Sequence, residues 1–582
     1  MTRFFLSSKR TRTISSLLLF ALTAFTSCTK NKDDAPYLSS AEAIHQGEAL
    51  FEKHCSACHN FRLDGIGPNL AGVTHDTLSK AWIAGFINNS QSYMDRKEFR
   101  ALDMKENFKV TMPSFAHLKA DEVDNLLAYI NTKHKRLPVN HYDTLTAIKD
   151  PFPDSIPMAD LRVDLELITQ MPASTRKGVT FEGLQTRITK FQSAPRGGFY
   201  VVDLRGTLYL VENGKTQPYL DMTKEKPAFV SEPGMATGFG SFAFHPEFNA
   251  NGLLYTAHTE PPRSKPADFT FADSIPSTVQ WVVTEWKTTT PDKVPFSGTS
   301  REIFRAEMVT GMHGMQELTF NPNAKPKDED YGLLYIGIGD AGCVEHGFPF
   351  LVGNERCYLG SIFRIDPLGT NSKNGHYGIP ASNPFVKEDG AVKEIFAYGF
   401  RNPHRLTWLR SGEMLAGNIG QHHVEAVYRV QKGKNHGWPI REGSFAIDTE
   451  GDINRAYPLP ANDSINGLVY PVVQYDHDEG FAMVGGFEYT GKAIPAFAGK
   501  YILGDIAKGK LFITDVAQLR NAKLADLHRL HVRLNGKETT LLSRSGLSRV
   551  DMRLGRDAQG ELYVLTKYDG KIYKIVKAEK VK

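Results

Sequence analysis

The segment Cys55-Ser-Ala-Cys-His59 has the residue types and the spacing at which a haem is attached covalently. Two thiols three positions apart can bond to the two vinyl groups of one haem, and the following His59 then becomes an axial ligand of its iron. A C-x-x-C redox pair or half of a zinc site is the alternative, but no second cysteine pair lies nearby in the sequence, and a histidine directly after the pair is typical of haem. We therefore predict one covalent haem c, bound through Cys55 and Cys58, in a chain that transfers electrons.

The N-terminus predicts export from the cytoplasm. Residues 1–27 contain four basic side chains, an apolar run at 14–25 and a small-residue cleavage site, which is the order found in a signal peptide, and the run is too short to span a bilayer. Thr26-Ser-Cys28 resembles a bacterial lipobox, so Cys28 would carry a lipid and residues 28–39 would form a polar tether. We expect a lipoprotein anchored in the outer membrane, facing the periplasm or the cell surface. An ordinary cleaved signal peptide is the alternative.

The charge balance gives no reason to expect nucleic acid as a partner. The formal net charge is +4, and removal of residues 1–27, which carry four positive and no negative side chains, brings it to about zero. Two further cysteines, Cys343 and Cys357, have a short loop between them. In an oxidising compartment they are predicted to form a disulfide, which would stabilise the fold by roughly 3 kcal/mol through the loop that it closes. Two free buried thiols are the alternative.

Two or three domains are expected, because 582 residues are too many for one hydrophobic core. The first domain spans residues 40–135 and is predicted to be helical. Apolar residues fall on one face of the segments 41–51, 78–88 and 119–131, and Ser40 can cap the first of these helices. That first helix leads directly into the cysteine pair.

This helical segment as a whole resembles a class I cytochrome c. Gly67-Pro68-Asn69-Leu70 follows the haem motif, and Met112-Pro113 precedes the last helix. The resemblance implies that Met112 is the second axial ligand of the iron. Met104 and Met94 are competitors for that role, and core packing is the other role open to a methionine. A thioether ligand raises the haem potential and suits a haem that accepts electrons.

The rest of the chain is predicted to be a linker followed by an all-β domain. Residues 136–165 begin with a stretch rich in Pro, Asp and Thr that has no clear periodicity, which is typical of a linker. Residues 166–582 contain short apolar strands separated by Gly and Pro turns. A strand, a turn and an aromatic-rich strand recur about six times, at 193–200, 245–255, 321–335, 410–414, 497–501 and 557–563. The fold class we predict is therefore multidomain, with a small all-α cytochrome c domain followed by a six-bladed β-propeller.

The second domain resembles the soluble pyrroloquinoline-quinone (PQQ)-dependent glucose and sorbosone dehydrogenases over residues 178–575. Six motifs in the family's order carry the resemblance: Phe242-Ala-Phe-His-Pro-Glu-Phe248, Tyr335-Ile-Gly-Ile-Gly-Asp-Ala-Gly342, Leu359-Gly-Ser-Ile-Phe-Arg-Ile-Asp-Pro367, Tyr398-Gly-Phe-Arg-Asn-Pro403, Asn435-His-Gly-Trp-Pro439 and Gly504-Asp505. The resemblance implies PQQ and Ca²⁺ as cofactors, with an aldose sugar or a related alcohol as the substrate.

The resemblance also implies which residues catalyse the reaction. The family's catalytic base is a histidine before an apolar strand and an Ile-Gly-Asp turn, and His313 stands at that position. A base of this kind takes the proton from a sugar hydroxyl as hydride leaves the same carbon. Asp340 matches the aspartate that orients and polarises the histidine. A structural histidine and a turn aspartate are the alternative reading of the pair.

Further residues are implied to hold the cofactors. Arg401 and Asn402 match the pair that faces the quinone oxygens, where an arginine stabilises developing negative charge. Lys508 matches a lysine that pairs with a cofactor carboxylate, and either Arg549 or Arg553 could be the family's arginine in the last blade.

Calcium is held in the family by consecutive backbone carbonyls at a Gly-Pro step, for which the equivalent here is Gly420-Gln421. Backbone oxygens suit a hard cation and do not require a particular side chain. The change from Pro to Gln is therefore compatible with the implied calcium site.

Two departures from the family leave the substrate open. Met312 stands where a polar residue precedes the catalytic histidine, and Ala236 stands where a glutamine is usual. Our prediction is a quinohaemoprotein that oxidises an aldose and passes the electrons to its own haem, and then to a soluble cytochrome or the respiratory chain. A non-catalytic ligand-binding propeller fused to an electron-transfer cytochrome is the alternative, since fold alone does not fix function. Another alternative keeps the enzyme but changes the substrate to a non-sugar alcohol.

Overall fold

A computed structural model describes residues 36–581, except residues 77, 109, 136–140, 143, 177–183, 195–196, 233–234, 521–522 and 548. The predicted signal peptide at 1–27, the lipid-modified Cys28 and most of the tether therefore lie outside the described residues. In the part of the chain that the structure describes, no helix has both the length and the apolar character needed to cross a membrane.

The N-terminal domain is helical, as predicted. Its helices are α1 (Ala41–His54), α2 (Lys80–Asn88), α3 (Ser90–Asp95), α4 (Phe99–Phe108) and α5 (Ala120–Asn131). The Ser40 hydroxyl caps α1 by accepting a hydrogen bond from the Ala43 N–H at 3.2 Å. Gly47 lets α1 cross α5 closely, because a Cβ atom at this position would lie 1.9 Å from the Asn125 carbonyl oxygen. This crossing fixes the direction in which α1 delivers the cysteine pair.

The second domain consists of four-stranded antiparallel sheets, or blades, arranged in a ring. Blade 1 contains β2 (Ile188–Ser193), β3 (Phe199–Asp203), β4 (Thr207–Glu212) and β5 (Lys215–Asp221). Blade 2 contains β6 (Phe239–Phe244), β7 (Leu253–Glu260), β8 (Val279–Lys287) and β9 (Thr299–Met308). Blade 3 contains β10 (Glu317–Phe320), β11 (Leu334–Ile338), β12 (Ser361–Ile365) and β13 (Ile395–Tyr398).

Blades 4 to 6 complete the ring. Blade 4 contains β14 (Pro403–Trp408), β15 (Met414–Asn418), β16 (Val424–Arg429) and β20 (Val473–Asp476). Blade 5 contains β21 (Met483–Glu488), β22 (Lys500–Asp505), β23 (Leu511–Asp515) and β24 (His528–Leu534). Blade 6 contains β26 (Met552–Arg556), β27 (Leu562–Thr566), β28 (Lys571–Lys580) and the early strand β1 (Met158–Gln170).

Smaller elements lie between and beside the blades. A three-stranded sheet of β17 (Arg441–Glu442), β18 (Phe445–Ile447) and β19 (Ala456–Tyr457) is inserted before β20, and β25 (Lys537–Thr539) pairs with β24. The short helices are α6 (Met222–Glu225), α7 (Phe248–Asn251) and α8 (Leu541–Ser545).

The innermost strands β2, β6, β10, β14, β21 and β26 contact one another in cyclic order, which confirms the predicted six-bladed propeller. Strand β1 closes the ring as the outermost strand of blade 6: it pairs antiparallel with β28 and parallel with β24. The predicted linker at 136–165 is therefore too long, because residues 158–165 already belong to this strand.

The part of the linker that the structure describes is hydrogen-bonded to the propeller. The His141 backbone N–H donates to the Asp448 carboxylate at 2.8 Å, and His141 Nδ1 lies 2.9 Å from the same carboxylate. Further along, the Phe152 N–H donates to Asp476 at 3.0 Å and the Ile156 N–H donates to Glu479 at 2.9 Å. The connection between the domains is thus bound to the surface at several points.

The predicted disulfide between Cys343 and Cys357 is not formed in the structure, which contains both residues as free thiols. Cys343 is fully buried in the core beneath blade 3, whereas the Cys357 thiol is directed at the Phe350 carbonyl of its own loop, 3.4 Å away. The alternative of two free buried thiols thus agrees with the structure for Cys343, whereas the free thiol of Cys357 is only half-buried.

Candidate active site

One large cavity lies at the end of the propeller where the innermost strands begin. Every blade contributes a residue that lies one to four positions before its innermost strand: these residues are Arg187, Ala236, His313, Arg401, Phe481 and Arg549. Its volume of about 480 Å³ lies within the range of small-molecule sites. The same cavity continues into the helical domain, where Cys55, Cys58 and His59 line it.

The predicted catalytic pair, His313 and Asp340, is assembled in this cavity. His313 lies in the loop before β10 and has a φ of +47°, in the left-handed region. Gly339, at the end of β11, allows the two loops to meet, because a Cβ atom there would lie 2.0 Å from the His313 carbonyl oxygen. The result is a hydrogen bond of 2.7 Å between His313 Nδ1 and Asp340 Oδ1.

Asp340 is held as an anion by its neighbours. Its burial raises the pKa of this carboxyl, but His313, Arg401 and the Gly342 N–H outweigh that effect, and the pKa lies below its ordinary value. The Gly342 N–H donates to Asp340 Oδ1 at 2.9 Å and the Trp438 indole N–H donates to Oδ2 at 3.0 Å. An ionised Asp340 accepts the proton of Nδ1, so the Nε2 atom of His313 is the nitrogen that can act as a base.

Arg401 is clamped by three acceptors on the neighbouring side of the cavity. Its guanidinium donates to Glu345 Oε1 at 2.8 Å, to Gln421 Oε1 at 2.6 Å and to the Gly420 carbonyl at 2.6 Å. Its carbon Cζ lies 5.8 Å from the centre of the Trp438 ring. Arg401 and Asn402 both line the cavity, and the Asp340 N–H donates to the Arg401 carbonyl at 2.7 Å, so Arg401 lies beside the catalytic pair. That the two residues face the quinone oxygens stays a prediction.

The first calcium ligand that the family implies, the Gly420 carbonyl, already has a partner in this structure. It accepts a hydrogen bond from the Arg401 guanidinium at 2.6 Å, so a calcium ion at this oxygen would lie beside the positive charge of Arg401, which opposes its binding. The Gln421 side chain is bound to the same arginine. Among the described residues, no cluster of three or more His, Cys, Asp or Glu side chains could hold a metal ion. We derive no step through calcium.

The opposite wall of the cavity is strongly basic. It is formed by four basic side chains and one carboxylate: Arg187, Arg549, Arg553, Lys567 and Asp551. Arg549 donates two hydrogen bonds to Asp551, at 2.8 and 3.0 Å. Burial, followed by the nearby Arg187 and Arg553, holds the pKa of Lys567 well below its ordinary value, and burial lowers the pKa of Arg553 to about 10. Asp551 is the one carboxylate among the four basic side chains of this wall, and a polycarboxylate cofactor such as PQQ would balance the remaining positive charge.

Sequence reasoning missed three residues of this wall, Arg187, Asp551 and Lys567, and one predicted residue, Lys508, does not line the cavity. His404, in β14, also lines the cavity and was not predicted. Neither ring nitrogen of His404 has a hydrogen-bond partner among the described residues, and burial together with Arg553 holds its pKa well below the ordinary value. Lys508 is not among the lining residues; its Nζ atom lies 4.9 Å from the ring centre of Phe481, which does line the cavity.

The two departures from the family pattern both lie on the cavity wall. Met312 and Ala236 are buried and line the cavity beside the catalytic pair. The Gln316 side chain also lines the cavity and donates to the Ala236 carbonyl at 3.1 Å. The wall next to His313 is thus less polar than the family pattern would make it.

The helical half of the cavity fits a covalently bound haem. His59 Nδ1 is hydrogen-bonded to the Pro68 carbonyl at 2.9 Å, which leaves Nε2 as the ligand atom and fixes the ring. Gly67 provides the space for this ring, because a Cβ atom there would lie 2.4 Å from it. Cys55 and Cys58 line the same space, so their thiols and His59 are placed where the motif requires them.

All three candidate methionine ligands, Met112, Met104 and Met94, line this half of the cavity. Met94 has a competing partner, because the Thr111 hydroxyl donates to its sulfur at 4.0 Å. The Met112 carbonyl accepts a hydrogen bond of 2.6 Å from the Ser90 hydroxyl, which anchors the Met-Pro turn. The assignment of Met112 as the second ligand stays a prediction.

Comparison with known proteins assigns both domains. The sequence model of the Glucose / Sorbosone dehydrogenase family matches residues 187–574, and that of cytochrome c matches residues 44–133. The chain therefore belongs to the Glucose / Sorbosone dehydrogenase family and carries an N-terminal cytochrome c domain.

Three relatives illustrate the range of this similarity. The chain is 26% identical to the HIPL1 protein of Arabidopsis thaliana over 336 residues, which are 50% of this chain and 45% of that protein. It is 28% identical to the Aldose sugar dehydrogenase YliI of Escherichia coli (strain K12) over 275 residues, which are 46% of this chain and 61% of that protein. The crystal structure of the soluble aldose sugar dehydrogenase from Escherichia coli in the apo form matches with 19% identity and a TM-score of 0.49, over 72% of this chain and 100% of that one. The chain thus spans less than half the length of the first of these relatives.

Proposed function

We propose that this protein is a PQQ-dependent dehydrogenase that oxidises an aldose sugar or a related alcohol and passes the electrons to its own haem c. The observation that carries the proposal is a single cavity in which the His313–Asp340 pair and a basic wall face each other and which continues into the haem pocket. A base, an anion site and an electron acceptor are thus within one enclosed space.

Each part of the cavity has a role in this reaction. His313 Nε2 removes the proton from the substrate hydroxyl, while Asp340 holds the ring and stabilises the imidazolium that forms. Bound PQQ would supply an ortho-quinone that accepts the hydride from the same carbon. The basic side chains Arg549, Arg553 and Lys567 would bind its carboxylates. Oxidation of an aldose at its anomeric carbon gives a lactone.

The haem would take the two electrons one at a time. Cys55 and Cys58 would hold it covalently, and His59 would bind its iron through Nε2. A soluble cytochrome or the respiratory chain would then reoxidise it. We also propose that the protein is an exported lipoprotein attached to a membrane through Cys28, which would place it beside such acceptors.

An optical experiment tests the enzymatic proposal. The haem-loaded protein is supplied with PQQ, a panel of aldoses and alcohols is added, and reduction of the haem is followed at its α-band. We expect at least one aldose to reduce the haem in the parent and in the surface variant His376→Ala, but at least a hundredfold more slowly in His313→Gln. If no sugar or alcohol reduces the haem, or if His313→Gln behaves like the parent, the proposal is wrong.

A non-catalytic binding propeller is the second candidate. The observation in its favour is that Met312 and Ala236 put apolar surface on the wall beside His313. The same experiment separates the two, because a sugar that binds in calorimetry without reducing the haem would favour the binding protein.

A further inference from the structure

The haem-attachment segment of the cytochrome domain rests directly on two loops of the propeller. We call residues 55–67 the haem loop; its partners are the loop 339–360, between β11 and β12, and the loop 419–423, between β15 and β16. His346 Nε2 lies 3.2 Å from the Ser56 carbonyl, inside the cysteine motif itself. His422 Nε2 lies 3.0 Å from the Asp64 carbonyl.

Both histidines are suited to a permanent contact at neutral pH. Burial holds the pKa of His346 and of His422 below the ordinary value, so each ring is neutral and has one N–H group. Since a carbonyl can only accept, that N–H group is the Nε2–H that points at the haem loop. Each contact is therefore a hydrogen bond from a neutral histidine ring to a backbone carbonyl.

Further contacts surround these two. The Arg62 guanidinium donates to the Gly347 carbonyl at 3.0 Å, and the Asn454 amide donates to the Asp64 carboxylate at 2.7 Å. The Leu63 side chain is only 6% exposed and packs into the hydrophobic core of the propeller. A side chain of the cytochrome domain is thus part of the propeller core, which is not expected if the two domains contact each other only transiently.

The contact is also tight at the side that faces the catalytic cavity. A Cβ atom at Gly65 would lie 2.6 Å from Glu345 Oε2, so the haem loop and this carboxylate are packed without a gap. The other oxygen of Glu345 holds Arg401 at 2.8 Å. One carboxylate therefore separates the haem loop from the cation that lies beside the catalytic pair.

We propose that the cytochrome domain is a fixed roof over the cofactor cavity, through which electrons leave the propeller without any domain motion. This inference rests on the proposed function and specifies its geometry. A haem held by Cys55, Cys58 and His59 would supply a one-electron acceptor, so the two electrons of the substrate would reach it one at a time, each reducing Fe³⁺ to Fe²⁺. An external one-electron acceptor would reoxidise the iron after each transfer, and the two protons would be released to water. A tethered domain would instead collide with the propeller at a rate set by the linker.

The first test needs no turnover. Hydrogen exchange of the haem loop is measured in the holoprotein, in the double variant His346→Ala/His422→Ala and in the control His423→Ala. His423 neighbours His422, but its Nε2 lies 3.2 Å from Ile453 of the propeller itself. We expect exchange at 55–67 to be at least roughly tenfold faster in the double variant than in the parent and the control, because two hydrogen bonds are lost.

A second variant is needed because the remaining contacts could hold the cytochrome domain on the propeller after both histidines are replaced. Leu63→Asp puts a charge into the propeller core and is expected to open the contact by itself. The haem spectrum checks that the cytochrome domain stays folded. If neither variant speeds the exchange of residues 55–67, the contact does not hold the domain and the proposal is overturned.

The third measurement tests the electron path. Haem reduction by substrate is followed by stopped flow over a series of glycerol concentrations. We expect the rate in the parent to be independent of viscosity, and the rate in the opened variants to be lower and to fall as viscosity rises. A parent rate that falls in proportion to viscosity would contradict a fixed roof. A protected haem loop in a protein whose haem no substrate reduces would instead refute the proposed function and leave the docked geometry standing.

Discussion

Replacement of Asp340 by asparagine tests the catalytic pair, because both oxygens of this carboxylate accept hydrogen bonds. The carboxylate serves three donors: Oδ1 accepts from His313 Nδ1 at 2.7 Å and from the Gly342 N–H at 2.9 Å, and Oδ2 accepts from the Trp438 N–H at 3.0 Å. An amide can accept on one side only. Asp340→Asn must therefore put an NH₂ group against a donor or against the Nδ1 atom of His313.

Both orientations of the amide damage the base. If its oxygen stays at His313, the NH₂ group opposes the Trp438 N–H, and the negative charge that stabilised the imidazolium is lost. If the amide turns over, its NH₂ group donates to Nδ1 and forces the proton of His313 onto Nε2, so that the base is already protonated. We expect a loss of about 10²- to 10⁴-fold in kcat, which corresponds to about 3 to 5 kcal/mol of transition-state stabilisation.

The assay is haem reduction in a single turnover at saturating sugar, with the affinity for PQQ measured separately by quenching of protein fluorescence. A second substitution distinguishes tautomer control from general disruption. Trp438→Phe removes the indole N–H, so Asp340→Asn/Trp438→Phe can keep the amide oxygen at His313 and should be about tenfold faster than Asp340→Asn. The double variant is compared with Trp438→Phe alone, since this ring also neighbours Arg401. If Asp340→Asn binds PQQ normally and stays within threefold of the parent, the reasoning is refuted.

Three other outcomes follow from the charges in the structure. Lys567→Met should weaken PQQ binding to the apoprotein by at least about tenfold in fluorescence titration, because a desolvated carboxylate of PQQ loses its cationic partner, whereas Lys508→Met should stay within threefold; equal effects of the two substitutions would contradict the cavity wall described above. Chelation with EGTA should leave PQQ affinity within threefold, because the Gly420 carbonyl is bound to Arg401, and a large loss that calcium restores would contradict this. Burial raises the pKa of Glu52 to about 7 from its ordinary 4.5, so its ionisation destabilises the fold as the pH rises from 4.5 through 7. Glu52→Gln should therefore increase the free energy of unfolding at pH 8 by up to about 3 kcal/mol, which is seen as a higher Tm, and should change the Tm little at pH 4.5. An equal rise in Tm at both pH values would refute the burial argument. The same rise after an exposed glutamate is changed to Gln would also refute it.

The local parts of the fold could be predicted from the sequence because their signals lie within a few residues. Ser40 and the apolar face of α1 are such a signal, as is the spacing of Cys55, Cys58 and His59. The six copies of strand, turn and aromatic strand gave the number of blades. The short helices α3 and α4 were not predicted, since few of their side chains are buried and their apolar pattern is correspondingly weak.

Strand β1 shows where local reasoning failed. Its residues alternate, with Ala159, Leu161, Val163 and Leu165 buried and polar residues between them, which is a strand pattern. The predicted linker nevertheless includes residues 158–165, because they directly follow the Pro-rich stretch. The partners of this strand, β28 and β24, lie more than 350 residues further along the chain, and no local pattern points to them.

The basic wall shows a second limit. Arg187, His404 and Lys567 belong to blades 1, 4 and 6, so their meeting depends on the closed ring and not on any motif. The lysine implied by the family, Lys508, lies in the turn after β22 and does not line the cavity. A simple rule would have found part of the wall: in a propeller, the residues that directly precede each innermost strand meet at one end of the axis.

The distribution of charge orients a polycarboxylate in this cavity. The positive charge of Arg401 is balanced by Glu345 at 2.8 Å, and two further N–H donors of this guanidinium are bound to Gln421 and Gly420. The opposite wall has four basic side chains and the single carboxylate of Asp551, so the attraction for an anion is concentrated there. The carboxylates of a bound PQQ would therefore be drawn to the basic wall. Because Glu345 both neutralises Arg401 and packs against Gly65, the docked cytochrome itself contributes to this asymmetry.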